Sequence, residues 1–100
     1  MSPHPTEQLP KSTCPIQKLT LILSDAWTIL IIRDLLVMPK RFCELENSLV
    51  GISTRTLTLK LTKLVDEEIV QNIDHYYTLT SKGRHLKHVI IAMEKVGEKI

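Results

Sequence analysis

Apolar residues recur at helical spacing along most of this chain, and the pattern predicts five helices and one β-hairpin. A first helix is expected over residues 15–24 and a second over residues 26–38, where Asp25 can act as the N-cap. The spacing turns Arg33 and Asp34 of the second helix outward. Its inward positions are predicted to be Trp27, Leu30, Ile31 and Leu35, with Met38 as a further candidate.

The middle of the chain predicts two helices joined by a short turn. Phe42 is expected to be an extended anchor before a brief helix over residues 44–49. Residues 50–52 then form a turn containing glycine, and Ser53 can cap a longer helix over residues 53–66. The buried stripe of this longer helix is predicted to be Leu57, Leu61, Leu64 and Val65. Such a pair is typical of a helix-turn-helix, whose second helix enters the DNA major groove.

Two short segments after this pair predict a β-hairpin. Residues 69–73 and 76–79 are rich in β-branched and aromatic side chains, and only a tight turn of two residues separates them. The order of elements is that of a winged helix-turn-helix, so we expect a mainly α domain with a small β-hairpin over residues 14–100. Residues 1–13 contain three prolines among polar residues, which predicts a flexible arm.

The last helix is expected to begin at Thr80 or Ser81 and to be weakened only locally by Gly83 and Gly97. Its apolar stripe is longer than one small domain needs for its own core, so part of it should face a second copy of the chain. We therefore expect a homodimer joined through the terminal helices. The dimerisation positions are predicted to be Leu86, Val89, Ile90, Met93, Val96 and Ile100, with Ile16 and Leu19 from the first helix.

Composition places the chain among single globular domains. It has 100 residues, 43% of them hydrophobic and 24% charged, with a net charge of +2 that is too small to indicate nucleic-acid binding by itself. Two cysteines, Cys14 and Cys43, without paired spacing or a signal peptide favour a reducing compartment, the cytoplasm. The longest apolar run, residues 89–93, is too short to span a bilayer, so no membrane partner is expected.

The helix over residues 53–66 carries the strongest functional signal. As far as Val65, the face opposite its buried stripe has cations and short hydroxyl side chains but no acid, which suits phosphate oxygens and base edges, and the acidic block of residues 66–68 follows immediately. The alternative is an ordinary amphipathic helix with a solvated threonine run. Lys40 and Arg41, just before the helix-turn-helix, could neutralise phosphate, or their charges could simply be solvated. The candidate DNA contacts are Ser53, Thr54, Arg55, Thr56, Thr58, Leu59, Thr62 and Lys63, with Lys40 and Arg41.

A series of short fragments resembles the HxlR-type winged helix-turn-helix transcriptional regulators, a MarR-like family. The series runs in order from residue 14 to about residue 100, which is nearly the whole chain after the arm. The fragments are Cys14-Pro15-Ile16, Trp27-Thr28, residues 30–36, Pro39-Lys40-Arg41-Phe42, Glu44-Leu45, Gly51-Ile52-Ser53, Leu57-Thr58, Leu61, Ile69-Val70 and Tyr77-x-Leu79-Thr80-x-x-Gly83.

The resemblance implies a homodimer with one recognition helix per subunit in the major groove of double-stranded DNA. In some members the cysteine of the Cys-Pro-Ile motif senses oxidants or electrophiles, which makes Cys14 a candidate redox sensor. A thiol at the start of a helix can gain thiolate character from the helix dipole, and a buried structural thiol is the alternative. Cys43, also near a helix start, is a weaker candidate. The resemblance does not identify an effector.

This chain departs from the family pattern at several positions. Members often have a polar residue such as glutamine at Leu59, a basic residue at Thr62, a capping asparagine or serine at Cys43 and a glycine at Glu68. Their wing is also longer and commonly basic, whereas residues 72–75 leave almost no wing here. So short a wing leaves little surface for minor-groove or backbone contact.

Other classes of function find little support in the sequence. His85 and His88 have the i, i+3 spacing of a metal pair, but no further ligand has suitable spacing, so we expect an exposed or packed pair and no metal. No phosphate loop, nucleophile elbow or acid–base pair is present, so neither catalysis nor a cofactor is expected. The competing functions are a winged-helix module for protein interaction, using Leu59, and a low-specificity architectural DNA-binding protein.

Overall fold

The computed structural model describes residues 14–100, so the predicted flexible arm lies outside the described residues. This part of the chain forms six helices and a three-stranded antiparallel sheet. The elements in chain order are α1 (Pro15–Ile22), α2 (Ala26–Val37), β1 (Lys40–Arg41), α3 (Phe42–Ser48), α4 (Thr54–Asp66), β2 (Val70–Ile73), β3 (Tyr76–Leu79), α5 (Ser81–Arg84) and α6 (Lys87–Glu98).

Helix α2 lies at the centre of the fold. Its N-cap is Asp25, as predicted, and one carboxylate oxygen of Asp25 accepts a hydrogen bond from the backbone N–H of Thr28 at 2.9 Å. Ile31, Ile32 and Leu35 are buried at 2% exposure or less, whereas Trp27 is only partly buried. The predicted inward face was too narrow, because it did not include Ile32. Helix α2 contacts four other elements, α3, α4, α6 and β3.

The prediction that Asp34 faces outward is wrong. Asp34 is 6% exposed, and its carboxylate accepts hydrogen bonds from the guanidinium of Arg33 and the hydroxyl of Ser48. The Nζ atom of Lys40 lies 3.9 Å from the same carboxylate. These donors stabilise a buried charge that would otherwise be costly. Asp34 thereby joins α2 to α3 and β1.

The expected extended anchor at Phe42 is also wrong, because Phe42 is the first residue of α3. The backbone N–H of Arg41 donates to Oε1 of Glu44 at 2.7 Å, which stabilises the start of the helix at this point. The extended segment is instead Lys40–Arg41, and it pairs with Tyr77 and Tyr76. The sheet consequently has three strands in the order β1-β3-β2 instead of the two that were predicted.

The predicted hairpin with a tight turn is confirmed. Strands β2 and β3 pair from Val70 with Leu79 to Ile73 with Tyr76. The two turn residues, Asp74 and His75, have φ values of 56° and 70°. Positive φ at both central positions is what a type I′ turn requires, and this turn matches the natural twist of two adjacent strands.

The last helix is interrupted at His85 and Leu86, so it forms the separate helices α5 and α6. Thr80 caps α5, since its hydroxyl accepts a hydrogen bond from the backbone N–H of Gly83 at 3.0 Å. A Cβ atom on Gly83 would lie 2.2 Å from the carbonyl oxygen of Ile69. Gly83 therefore does more than weaken the helix locally, because its missing side chain lets α5 approach the chain that leads into β2.

One apolar core lies beneath the helix-turn-helix and the sheet. It is built almost entirely from Leu and Ile. The three helices α2, α3 and α4 and the hairpin that follows them form a winged helix-turn-helix, as predicted. The buried core residues are Ile31, Ile32, Leu35, Leu45, Leu49, Leu57, Leu61, Leu64, Ile69, Val70, Leu79, Leu86 and Ile90.

Candidate nucleic-acid interface

Helix α4 begins and ends where the sequence predicts the recognition helix. Ser53 is its N-cap, and its hydroxyl accepts a hydrogen bond from the backbone N–H of Thr56 at 3.0 Å. Leu57, Leu61 and Leu64 are buried, which fixes the rotation of the helix about its axis. The prediction that Val65 belongs to this buried stripe is wrong, since Val65 is 37% exposed. The opposite face therefore points to solvent.

The exposed face of α4 presents two cations at opposite ends of an apolar centre. Arg55 lies in the first turn and Lys63 in the last turn, and both are exposed. Among residues 14–100, no hydrogen bond or ion pair engages either charged group. Leu59, between them, is 58% exposed. Both cations are thus available to an external partner.

Two threonines of α4 use their hydroxyl protons within the helix itself. The hydroxyl of Thr58 donates to the carbonyl oxygen of Thr54, and that of Thr62 donates to the carbonyl oxygen of Thr58, both at 2.8 Å. A hydroxyl whose proton is used in this way can still accept a hydrogen bond. Thr58, Leu59 and Thr62 together form a small apolar patch that suits thymine methyl groups.

The N-terminus of α4 is held to α3 through side chains. The hydroxyl of Thr54 donates to the carboxylate of Glu46 in α3, and the hydroxyl of Ser53 donates to the hydroxyl of Thr56 at 2.9 Å. Gly51, in the turn between the helices, has a φ of 93°, a conformation that glycine adopts without strain. The turn thereby sets the angle at which α4 leaves α3.

The remaining cation of α4, Lys60, turns away from the exposed face. Its Nζ atom lies 2.9 Å from Oδ2 of Asp25, the N-cap of α2. Burial is the largest single effect on Asp25 and would raise its pKa, but the hydrogen bonds from Lys60 and Thr28 outweigh burial and lower the pKa below the ordinary value of 3.8. This ion pair fixes α4 on α2, and sequence spacing gave no sign of it.

Lys40 and Arg41, predicted as phosphate contacts, occupy different environments. Lys40 is half-buried beside Asp34, so it serves the fold as well as any partner. Arg41 is exposed, and its guanidinium lies over the ring of Tyr76, 4.9 Å from the ring centroid. That contact orients the charge of Arg41 without neutralising it.

The wing is short and lacks a basic tip. Two residues, Asp74 and His75, connect its strands. Ile73 at the base of the turn is 55% exposed. A longer wing could reach along the DNA backbone, whereas this hairpin offers little positive charge for such contact.

The predicted dimerisation residues fall into three groups according to their burial. Leu86 and Ile90 are 4% and 5% exposed because they pack in the core of the single chain, so they are not available to a second copy. Val89 and Leu19 are partly buried. Ile16, Met93, Val96 and Ile100 are exposed by 73%, 46%, 57% and 100%. The accessible apolar stripe is therefore shorter than predicted and shifted toward the chain end.

Among the described residues, the two cysteines and the His85/His88 pair belong to helices other than α4 or to the link between α5 and α6. Cys14 is exposed at the N-cap position of α1, and Cys43 is exposed in the first turn of α3. His85 and His88 are also exposed. No group of three or more His, Cys, Asp and Glu side chains within residues 14–100 is placed to hold a metal ion.

In the same part of the chain, every helix falls short of the length and apolar character that a membrane span requires.

A winged helix-turn-helix fold with an exposed basic helix places this protein in the class of winged helix-turn-helix transcription regulators. Within that class, residues 22–100 match the model of the HxlR-like helix-turn-helix family, and the chain belongs to this family. Its relatives are named as transcriptional regulators, not enzymes.

Relatives and solved structures agree on the class. An HTH-type transcriptional regulator of Synechocystis is 40% identical over 84% of this chain and 67% of its own length. The HTH-type transcriptional regulator YodB of Bacillus subtilis is 35% identical over 73% of this chain and 71% of its own length.

The structure of quinone-bound YodB is similar with a TM-score of 0.79 at 34% identity, covering 87% of this chain and all (100%) of that chain. The redox regulator HypR in its oxidised form has a TM-score of 0.80 at 28% identity, covering 87% and 97%.

Proposed function

We propose that this protein is a sequence-specific transcription regulator that binds double-stranded DNA as a homodimer, with α4 in the major groove. The observation that carries the proposal is the exposed face of α4, where Arg55 and Lys63 are available on either side of an apolar patch. The face carries two available cations and no acid before Asp66 in the last turn of α4, and such a surface is suited to the negative potential of a DNA groove.

The residues of this face have different roles in the proposal. Arg55, in the first turn, donates to a guanine edge, since recognition helices reach bases with their N-terminal residues. The patch of Thr58, Leu59 and Thr62 contacts thymine methyl groups, and Lys63 contacts phosphate. Ser53, Thr54 and Thr56 lie at the helix N-terminus, where backbone N–H groups favour a phosphate. Arg41, with a smaller contribution from Lys40, contacts the backbone beside the groove.

The homodimer is proposed to form through Ile16 of α1 and the stripe of Met93, Val96 and Ile100. These are large apolar side chains that water would otherwise cover. Two recognition helices fit one face of DNA when they lie about 34 Å apart. Dimerisation through the terminal helices would set that spacing.

Cys14 is proposed as the redox-responsive residue of this regulator. Its exposed position at the start of α1 makes it accessible to oxidants and electrophiles. Support also comes from similar structures that are described as a quinone-bound regulator and an oxidised redox regulator. A regulator with these properties acts in the cytoplasm.

Selection of binding sites from random duplexes tests the proposed function. A regulator should enrich one operator with two half-sites and prefer it over random DNA by roughly 10³-fold or more at physiological salt. An architectural DNA-binding protein would bind all duplexes alike, and a protein-interaction module would bind none even at low salt. Either result would contradict the proposal.

A further inference from the structure

A groove between α2 and the C-terminal helices is a second candidate binding site, and no residue of α4 lines it. Its volume is about 500 Å³. Small-molecule sites are commonly concave and mostly apolar, with volumes of roughly 300–1,000 Å³. The apolar side chains of this groove come from both helices and are Leu36, Val37, Ile90 and Ile91.

The charges around the groove favour an anion. Arg33, Arg84 and Lys87 line it, against the single carboxylate of Glu94. Arg84 and Lys87 are exposed, and within the described residues no ion pair engages either of them. An apolar surface bordered by available cations complements a molecule with a hydrophobic body and one negative group. We propose that this groove binds a small hydrophobic carboxylate, such as an aromatic acid or a medium-chain fatty acid.

The groove lies on a different side of α6 from the proposed dimer stripe. At 100° per residue, Ile91 and Lys87 lie on one side of the buried Ile90, whereas Met93 and Val96 lie on the other side. A dimer joined through Met93 and Val96 would therefore leave the groove open. Val37, which is 76% exposed at the groove, would remain available to a ligand.

The groove is connected to the helix-turn-helix through Arg33. One guanidinium nitrogen of Arg33 lies 3.0 Å from Asp34, which also accepts a hydrogen bond from Ser48 in α3. A ligand carboxylate that competes for Arg33 would weaken its hold on Asp34 and alter how α3 sits on α2. Coupling of the groove to DNA binding follows from this network, and this part of the inference rests on the proposed function.

Titration of the ¹⁵N-labelled protein with benzoate, phenylacetate and octanoate tests the site directly by NMR. We expect at least one acid to shift the amide signals of Leu36, Val37 and Ile91 in a saturable way, whereas benzyl alcohol, which lacks the charge, should bind more weakly. Replacing Arg84 and Lys87 together by Gln should weaken binding roughly tenfold or more, as expected for the loss of a charged hydrogen bond. Lys95→Gln removes a charge from α6 outside the groove and should leave the affinity unchanged.

Three results would overturn the proposed site. These are no saturable shift with any of the acids, equal binding of benzyl alcohol and the acids, or loss of the Val37 and Ile91 shifts because a second copy of the chain fills the groove. Dilution of the protein without ligand distinguishes the last case, since signals from a dimer contact change with concentration.

Operator binding is measured in parallel. If an acid titrates the groove while no DNA binds, the proposed function fails and the site stands.

If DNA binds and no acid titrates the groove, the site fails alone. If the coupling is correct, a saturating acid should change operator affinity by roughly fivefold or more, the lower range of allosteric coupling. This change should be lost in the protein in which both Arg84 and Lys87 are replaced by Gln. An operator affinity that does not respond to a bound acid would overturn the coupling.

Discussion

Several side chains that hold the helix-turn-helix together act in pairs that are distant in sequence. Lys60 pairs with Asp25 across 35 positions, and Ser48 donates to Asp34 across 14. Helical spacing assigns a residue to one face of its own helix but does not say which other element covers that face. The local cap at Ser53 could therefore be predicted, whereas the burial of Asp34 could not.

Arg55→Ala should weaken operator binding by about 1–3 kcal/mol and relax the preference at one base pair, because a side chain that reads a base edge is lost. Competition binding against a set of single-base operator variants measures both effects. Lys95→Ala removes an exposed cation from α6 and is the matched control for charge. Unchanged affinity and preference in Arg55→Ala would mean that α4 does not read DNA as proposed.

Asp25 should contribute a stability that depends on pH. Its pKa is lower in the folded chain than the ordinary value of 3.8, so folding favours the carboxylate. The resulting stability is present above about pH 4 and is lost as the pH falls through the folded pKa. Asp25→Asn keeps an N-cap but removes the charge, so the difference in free energy of unfolding from the wild type should shrink as the solution is acidified.

Comparison with Asp25→Ala separates the cap from the charge. This variant loses the N-cap too and should be less stable than Asp25→Asn by about 0.5–2 kcal/mol. Denaturant unfolding at pH 7 and pH 3 provides the measurement. If the wild type and Asp25→Asn lost stability in parallel between these pH values, the Lys60 contact would not stabilise the charged form.

At the scale of the elements, prediction succeeded where the signal is local. Helix α4 and the hairpin turn were predicted from caps, periodicity and residue type. Strand β1 was missed because two residues carry no periodicity and become a strand only by pairing with β3. The break at His85 and Leu86 was missed, since the predicted helix ran through these residues without interruption.

The end of α4 stores strain that one substitution should relieve. Glu68 has a φ of 63°, and its backbone N–H donates to Val65 while that of Ile69 donates to Leu64, each at 3.0 Å. This is the Schellman arrangement, in which glycine usually occupies the left-handed position. The left-handed conformation costs a residue with a side chain about 1–2 kcal/mol, and glycine loses part of that gain through its larger entropy when unfolded.

Glu68→Gly should therefore stabilise the domain by about 0.5–1 kcal/mol, measured by thermal or denaturant unfolding. Glu68→Gln keeps the side chain and removes only the charge, so it should recover little of this gain. Gly51→Ala gives the converse test. Nothing lies within 4 Å of a Cβ atom at Gly51, where φ is 93°. Any loss of stability in Gly51→Ala would therefore come from backbone strain and not from a steric clash of the new side chain. Equal stability of Glu68→Gly and Glu68→Gln would assign the effect to charge.

At the scale of the whole molecule, the sequence predicted an apolar stripe on the last helix. It did not predict which residues of the stripe pack in the core of the single chain and which remain exposed for a second copy. Met93→Glu should convert a dimer to a folded monomer, because Met93 is 46% exposed and can accept a charge in the single chain. Sedimentation at micromolar concentration and circular dichroism measure the two properties. Ile91→Glu, on the groove side of α6 at 37% exposure, is the control and should remain dimeric. A monomeric wild-type protein would contradict the proposed dimer.

The response to oxidants concerns the assembled molecule as well. A thiol at the start of α1 would lie near the joint of a dimer built from the terminal helices. Oxidation or alkylation of Cys14 could therefore rotate one subunit against the other, and a small rotation at the joint is enlarged at the recognition helices. Since these helices must match major grooves about 34 Å apart, operator affinity should change.

Cys14→Ser should abolish this response and leave binding in the reduced state near normal, because serine is a good N-cap and keeps the start of α1 intact. Cys43→Ser is the control, since Cys43 is exposed at the start of α3 and could react independently. DNA-shift titrations with diamide and peroxide, reversed by a thiol reductant, compare the wild type with both variants. An equal affinity of the wild type before and after oxidation would exclude Cys14 as a sensor, and a response lost only in Cys43→Ser would move that role to α3.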